Sequence, residues 1–177
     1  LLEDPSIKKV GQNIKFDFIV LMQNGILLDP IEDTMLLSYT LDAGLNRHNM
    51  DILSELHLGH KTISYKDLVG SGKNKLNFVD IKLDLATEYA AEDADVTLRL
   101  YEVLKERLDQ EKLNKIYEYF EKPLVKLLAK LESNGIKVDA NYLKKLSQQF
   151  EKKLITIEKE IYKLAGKMYR NIAELLR

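Results

Sequence analysis

The stretch that decides the fold runs from Val79 to Leu108, with the sequence VDIKLDLATEYAAEDADVTLRLYEVLKERL. Its small and apolar residues recur in steps of three and four, which places them on one face of an α-helix. They are Ala86, Tyr89, Ala90, Val96, Thr97, Leu100 and Leu104. The sequence therefore predicts one long helix with a buried face, against which the other elements pack.

Asp93 lies within this apolar face. A carboxylate on the buried side of a helix is costly unless a cation or a hydrogen-bond donor satisfies it. A metal ion would do so, and so would a single arginine or a position at the wet margin of the face. The neighbouring Glu92 and Asp95 are rotated away by roughly 100° and 200°, and we predict that both are ordinary solvated charges.

The composition is that of a globular chain with one good core. The 177 residues are 45% hydrophobic and 31% charged, with a net charge of −1, which excludes a disordered chain. No apolar run approaches the roughly 20 residues of a membrane span, and no signal-peptide pattern is present. The absence of cysteine excludes disulfides and thiolate metal sites. We therefore expect a cytoplasmic protein without a membrane partner.

Short-range signals predict a brief strand before Gly11 and three helices after it. Candidate N-caps for these helices are Asn13, Asp33 and either Asn49 or Asp51. Their side-chain oxygens accept hydrogen bonds from the free N–H groups of a first helical turn. These signals predict an α/β chain in which helix dominates.

The character of the sequence changes after about Gln110. Pro123 either opens the next helix or kinks it, and Asp139 is a candidate N-cap for a long final helix. Apolar residues of that helix follow a near-heptad spacing, which is typical of a helix that packs on a partner helix. They are Leu143, Leu146, Phe150, Leu154, Ile157, Ile161, Leu164 and Met168. We predict two domains, residues 1–115 and 116–177.

Carboxylates are the best candidates for catalysis. There is no cysteine, no serine lies in a glycine-flanked elbow, and His57 and His60 have no nearby third ligand for zinc. Asp17 interrupts an otherwise apolar run, as Asp93 does. Two buried carboxylates from different helices suggest oxygen ligands for a hard cation such as Mg²⁺.

Two segments resemble the second and third motifs of a known nuclease family. Val10–Asp17, VGQNIKFD, has the pattern N-x3-D, and Tyr89–Thr97, YAAEDADVT, has the pattern Y-x3-D. Both are similar to the proofreading 3′–5′ exonuclease domain of the family A DNA polymerases, the bacterial DNA polymerase I family. Glu132–Asp139, ESNGIKVD, resembles the junction at which the polymerase domain of that family begins.

The resemblance implies a ribonuclease-H-like α/β fold and two-metal hydrolysis, with Mg²⁺ or Mn²⁺, at the 3′ end of single-stranded DNA. The role it implies is proofreading during DNA replication and repair. It further implies that Asp93 binds the first metal, that Asp17 binds the second, and that Tyr89 orients the attacking water. Contacts to the terminal nucleotides are implied for Gln12, Asn13, Phe16, Arg47 and the ring of Tyr65. A surface salt bridge is the alternative for Arg47.

The first motif of the family, Asp-x-Glu on its first strand, is not found in these residues. It supplies two further metal-binding carboxylates and comes with three central strands. The chain starts at Leu1 without a Met and stops at Arg177 within a helical pattern. We therefore expect an incomplete ribonuclease-H-like exonuclease fold followed by a long helical hairpin, without nuclease activity on its own. The missing strands or a second copy of the chain would cover the strand edge near Val10.

Two other functions stay open at this point. One is a stand-alone DEDD-type 3′–5′ exonuclease, which the apparent polymerase junction disfavours. The other is a helical interaction module in which Asp17 and Asp93 have only structural roles.

Overall fold

Helices account for most of the chain. The computed structural model describes residues 1–70, 72 and 75–166. In chain order the elements are β1 (Lys9–Gly11), α1 (Ile14–Gln23), β2 (Ile31–Asp33), α2 (Thr34–Asp42), α3 (Met50–Leu58), α4 (Tyr65–Val69), α5 (Leu83–Gln110), α6 (Asn114–Ile116), α7 (Lys122–Asn134) and α8 (Ala140–Ala165). A 3-10 turn, Phe78–Asp80, precedes α5, and a π-helical turn, Tyr117–Glu121, precedes α7. The prediction of a mostly helical chain with few strands is confirmed.

The two strands form a parallel pair, with Lys9 opposite Ile31 and Gly11 opposite Asp33. Helix α1 makes the crossover that a parallel pair requires. The strand predicted before Gly11 is therefore present. Among the described residues the sheet consists of these two strands. Each strand thus leaves one edge without a strand partner, and an open edge near Val10 was expected from the sequence.

The long helix predicted from Val79–Leu108 is α5, and its second half forms the centre of the larger core. Fully buried side chains of α5 pack there with those of α2 and α3, in a cluster of Leu37, Leu53, Val96, Leu100, Leu104, Leu108 and Tyr117. The first half differs from the prediction, because Ala86 and Tyr89 are only half-buried and Ala90 is exposed. This half borders an open cleft.

A second cluster joins α1 and β2 to α7. Its members are Ile14, Phe18, Leu28, Ile31, Val125 and Ala129. Because Tyr117, Val125 and Ala129 are buried with the preceding elements, the first compact unit runs from Leu1 to Asn134 and the second from Gly135 to Arg177. The domains 1–115 and 116–177 stay a prediction, because the boundary of a compact unit need not coincide with the boundary of an evolutionary domain.

Asp33 caps two helices at once. Its carboxylate accepts from the N–H of Met35 at 2.9 Å, as predicted for α2. It also accepts from the N–H groups of Asn13 at 3.0 Å and Ile14 at 2.9 Å, at the start of α1. Asn13 occupies the N-cap position of α1 as predicted, but its side chain makes no cap bond and it has a left-handed φ of 57°. The end of β2 therefore fixes the direction in which α1 begins.

Other predicted helix signals have mixed outcomes. Asp139 accepts from the N–H of Tyr142 at 2.9 Å and caps α8, as predicted. Pro123 lies in the first turn of α7, as the first of the two predicted alternatives requires. Asn49 occupies the N-cap position of α3 but makes no side-chain cap bond.

In the second unit, α8 exposes its near-heptad seam to solvent. Leu143, Phe150, Leu154 and Ile157 are each 50–54% exposed. Met168, the last predicted seam residue, lies outside the described residues. The partner helix for this seam, and a hairpin with α7, stay predictions. None of the described helices has both the length and the apolar composition that a membrane crossing requires.

Candidate nuclease site

A cleft of about 800 Å³ opens between the end of β1, the start of α1 and the first half of α5. Six predicted site residues line it: Gln12, Asn13, Phe16 and Asp17 on one side, and Tyr89 and Asp93 on α5. The fold therefore brings Asp17 to the same cleft as Tyr89 and Asp93, although Asp17 lies far from the other two in the sequence.

Asp17 lies in the first turn of α1. Ile14 and Phe18 face the core from this helix, and Asp17 lies off their buried stripe. Its side chain is therefore exposed, and the prediction that it is buried is wrong. The cleft still desolvates the carboxyl enough to raise the pKa of Asp17.

Asp93 is half-buried, and its Oδ1 atom is buried without a hydrogen-bond partner among the described residues. Burial raises the pKa of this carboxyl; the Tyr89 hydroxyl opposes the shift, and the Glu92 and Asp51 carboxylates add to it. The described arginine ion pairs, made by Arg99 and Arg107, do not involve Asp93. An unpaired buried carboxylate oxygen needs a cation or a donor from a ligand.

Tyr89 lies one helical turn before Asp93, in an aromatic cluster. Its ring centroid lies 6.2 Å from that of Tyr65 and 6.3 Å from that of Phe78, both edge-on, and Tyr65 and Phe78 are stacked. Burial, followed by the charge of Asp93, raises the pKa of Tyr89 to about 12. The phenol is therefore neutral near pH 7 and keeps its proton for hydrogen bonding.

Two predicted nucleotide contacts lie outside the cleft. Tyr65 adjoins it through its ring contact with Tyr89. Arg47 lines a different depression, beside Tyr39 and His48. In the described parts of the chain Arg47 forms no salt bridge, so the alternative proposed for it is not observed there.

A family model of the 3′–5′ exonuclease of the A-type DNA polymerases matches residues 1–109. The chain belongs to this exonuclease family. DNA polymerase I of Rhizobium leguminosarum is 50% identical over 169 residues, which cover 96% of this chain and 17% of that relative. DNA polymerase I of Pseudomonas aeruginosa is 43% identical over 173 residues, or 96% of this chain and 19% of that relative. The chain spans less than a fifth of the length of these curated relatives.

These matches confirm the resemblance to DNA polymerase I that the two motifs indicated. Among solved structures, Brucella melitensis NrnC is similar with a TM-score of 0.58 and 25% identity, over 73% of this chain and 59% of that chain. The mostly helical fold is consistent with a 3′–5′ exonuclease of this family.

Glu92 is not the solvated charge that helical periodicity predicts. Its side chain is 17% exposed, and it accepts from the N–H of Ile63 at 2.6 Å and lies 2.8 Å from Nε2 of His60. Glu92 therefore ties the loop before α4 to α5, next to Asp93. Periodicity misses this because it predicts which face a residue occupies and not which loop folds over that face. Asp95 is exposed, as predicted.

Lys8 is a cationic residue of the cleft that the sequence patterns did not single out. Its Nζ atom donates to the hydroxyl of Tyr101 at 2.7 Å, and this bond raises the pKa of the lysine. A single lysine before a short strand carries no motif, so no sequence signal pointed to it. Its positive charge favours phosphate near the cleft.

The donors of the cleft fit a hard cation in kind but not in number. Asp17 and Asp93 supply carboxylate oxygens, and the Oδ1 atom of Asp93 has no other partner in the described structure. Across residues 1–70, 72 and 75–166, no group of three or more His, Cys, Asp and Glu side chains is placed to hold a metal. Mg²⁺ takes about six oxygen ligands in octahedral geometry. A firmly held ion therefore needs further oxygens from substrate, water or other carboxylates.

Proposed function

We propose that the cleft is the 3′–5′ proofreading site of a cytoplasmic DNA polymerase I, which removes nucleotides from single-stranded 3′ ends during replication and repair. The observation that carries the proposal is the grouping of Asp17, Tyr89 and Asp93 around one cleft, with one oxygen of Asp93 buried and unpaired. Membership of the exonuclease family supports the reaction class.

Each side chain of this group has a chemical role. Asp93 and Asp17 would hold Mg²⁺ or Mn²⁺ through their carboxylate oxygens. When bound, two such ions activate water and stabilise the leaving oxygen. The neutral phenol of Tyr89 hydrogen-bonds the attacking water and fixes its direction, because a reacting group held in the right geometry reacts far faster. Lys8 attracts the phosphate whose ester bond is cut.

The opposite wall of the cleft holds the terminal nucleotide. Phe16 is 67% exposed, and its ring offers a face on which a base stacks. Gln12 donates one N–H to the carbonyl of His48 at 2.7 Å, which leaves its second N–H for a nucleotide. Asn13 has an exposed side chain at the same wall and contributes an amide donor and acceptor.

We also propose that β1 and β2 form the edge of a larger ribonuclease-H-like sheet. Their open edges and the half-exposed start of α5 are surfaces that further strands, or a second copy of the chain, would cover. The resemblance implies four metal-binding carboxylates, and the cleft has Asp17 and Asp93. The 177 residues alone therefore bind metal weakly and do not hydrolyse DNA, and residues 116–177 begin the polymerase domain.

The test follows a single DNA strand labelled at its 3′ or its 5′ end, in Mg²⁺ or Mn²⁺. We expect the longest natural polypeptide that contains these residues to release the 3′ label first, and the 177-residue chain to leave the strand intact. Asp93→Asn should slow hydrolysis by more than about 100-fold, since it removes a metal ligand. Asp95→Asn is the matched control, an exposed carboxylate on the same helix, and should leave the rate unchanged.

Two outcomes would replace the proposal. Hydrolysis by the 177-residue chain that Asp93→Asn abolishes would show a stand-alone exonuclease. Absence of hydrolysis from either polypeptide, with DNA binding unchanged by Asp17→Asn and Asp93→Asn, would show a helical interaction module whose carboxylates are structural.

A further inference from the structure

The loop of residues 59–64, between α3 and α4, is bound on one side by side chains of α3. The hydroxyl of Ser54 donates to the carbonyl of His60 at 2.8 Å. Asp51 accepts from the hydroxyl of Thr62 at 2.7 Å. Helix α3 therefore holds this loop at two of its residues.

Glu92 of α5 holds the other side of the loop with both of its carboxylate oxygens. Oε2 accepts from the N–H of Ile63 at 2.6 Å, and Oε1 lies 2.8 Å from Nε2 of His60. The Glu92 side chain is only 17% exposed, and hydrogen bonds shielded from water are stronger than those at the surface. Because Glu92 directly precedes Asp93, the loop is attached to α5 beside the cleft.

The loop leads directly into an aromatic residue that touches the cleft. Ser64 caps α4 by accepting from the N–H of Lys66 at 3.2 Å, and Tyr65 is the first residue of that helix. The ring centroid of Tyr65 lies 6.2 Å from that of Tyr89, edge-on. Since Tyr65 follows Ile63 by only two residues, the bond from Ile63 to α5 restricts where the Tyr65 ring can lie.

Tyr89 needs such a neighbour to hold its phenol in one direction. It is half-buried, on the part of α5 that borders the open cleft. Two χ1 rotamers are common for an aromatic residue in a helix, and an edge-on ring beside the phenol limits this choice. A displacement of about 1 Å in a reacting group can cost about 100-fold in rate.

We propose that Glu92 is a positioning residue of the nuclease centre. It holds the loop of residues 59–64 so that the ring of Tyr65 fixes the phenol of Tyr89. The inference rests on the proposed function for the part that Tyr89 plays in hydrolysis. The arrangement of the two rings does not depend on that part and is measured separately.

The first measurement is kcat for hydrolysis of a 3′-labelled single strand by the longest natural polypeptide that contains these residues. Glu92→Ala should lower kcat by about 10-fold or more, because the phenol of Tyr89 loses its fixed direction. Glu88→Ala is the matched control, an exposed carboxylate one turn earlier on α5, and should leave kcat unchanged.

Glu92→Gln separates the hydrogen bonds of Glu92 from its charge. The amide of glutamine offers an acceptor to the N–H of Ile63 and a donor to the ring of His60, but it removes the negative charge beside Asp93. We expect Glu92→Gln to keep most of the activity. If Glu92→Gln is as slow as Glu92→Ala, the charge matters and not the loop, and the positioning role is refuted.

A double-mutant cycle tests whether Glu92 acts through the ring of Tyr65. In a protein that already carries Tyr65→Ala, the change Glu92→Ala should lower kcat by less than about twofold, because the ring that Glu92 positions is gone. A merely structural role of Glu92 would slow hydrolysis by the same factor with and without Tyr65. Equal factors would therefore refute the proposal.

The second measurement does not depend on hydrolysis and uses nuclear magnetic resonance on the 177-residue chain. The unmodified chain should show nuclear Overhauser effects between the ring protons of Tyr65 and Tyr89. Glu92→Ala should lose these effects and should exchange the N–H of Ile63 faster by about 10-fold or more, since that N–H loses a charged acceptor. Glu92→Gln should keep both features. Unchanged ring contacts in Glu92→Ala would refute the positioning role.

The outcomes separate this inference from the proposed function. If Glu92→Ala loses the ring contacts but neither polypeptide hydrolyses DNA, the positioning of the rings by Glu92 stands and the proposed function fails. If hydrolysis requires Asp93 but Glu92→Ala is as fast as the unmodified protein, the proposed function stands and Glu92 is not a positioning residue.

Discussion

Removal of the Tyr117 hydroxyl tests most sharply whether the segment after α6 packs as part of the first compact unit, Leu1–Asn134. Tyr117 is fully buried. Its hydroxyl donates to Oε2 of Glu32 at 2.9 Å and accepts from the N–H of Asp33 at 3.0 Å. Burial, together with these carboxylates, raises the pKa of Tyr117, so the phenol keeps the proton that it donates.

Tyr117→Phe removes both hydrogen bonds and keeps the ring in the core. The Asp33 N–H loses its partner in a buried site, and among the described residues Glu32 keeps the hydrogen bond from Lys122, at 2.8 Å. A buried donor without a partner costs about 1–3 kcal/mol, and a hydrogen bond to a charged acceptor is worth about 1.5–3 kcal/mol. We expect Tyr117→Phe to lower the free energy of unfolding by about 2–4 kcal/mol, because relaxation recovers part of the sum.

Urea unfolding followed by circular dichroism measures this free energy. The midpoint should fall while the slope with urea stays unchanged, since the surface exposed on unfolding is the same. Tyr119→Phe is the control, because Tyr119 lies in the same π-helical turn but is 74% exposed. A loss below about 0.5 kcal/mol for Tyr117→Phe, the range of surface substitutions, would refute the packing of this turn onto β2.

Two other predictions concern the aromatic cluster and the seam of α8. Phe78→Ala should admit water beside Tyr89 and lower the pKa of Tyr89 from about 12 towards the ordinary value of about 10. The ultraviolet absorbance of the phenolate, with Tyr89→Phe as the blank, follows this titration. An unchanged titration would show that Phe78 does not shield the phenol. The exposed seam of α8 should drive self-association of the 177-residue chain. The double change Phe150→Glu and Leu154→Glu should lower the molecular mass that light scattering measures for the chain in solution. A monomeric mass for the unmodified chain would contradict this prediction.

Short-range sequence signals predicted two helix caps and the core residues of α5. Asp33 and Asp139 were recognisable as N-caps, because a carboxylate before a helical run satisfies free N–H groups within the next few residues. Leu100 and Leu104 were recognisable as core residues from their spacing. Asn13 had the same local chemistry as Asp33, but its own N–H is bound by Asp33 from another segment, and no local signal reports such a contact.

The sequence predicted candidate site residues but not the environment of their side chains. The two motifs named Asp17 and Asp93, and the structure places both at one cleft. Their burial was not predictable, because helical spacing does not show that Asp17 leaves the apolar face of α1. Glu92 bonds to the loop before α4, and Arg47 lies in a depression separate from the cleft. Both features depend on the paths of loops, which the periodicity of a sequence does not predict.

Counting bound Mn²⁺ tests the central claim most directly, namely that Asp17 and Asp93 form a metal centre. The free ion is followed by electron paramagnetic resonance while the longest natural polypeptide that contains these residues is titrated with Mn²⁺. We expect Asp93→Asn to bind at least one ion fewer than the unmodified protein, or to bind it with an affinity lower by more than about 100-fold, while Asp95→Asn binds normally. Unchanged Mn²⁺ binding by both Asp93→Asn and Asp17→Asn would contradict the assignment of the cleft as a nuclease metal centre.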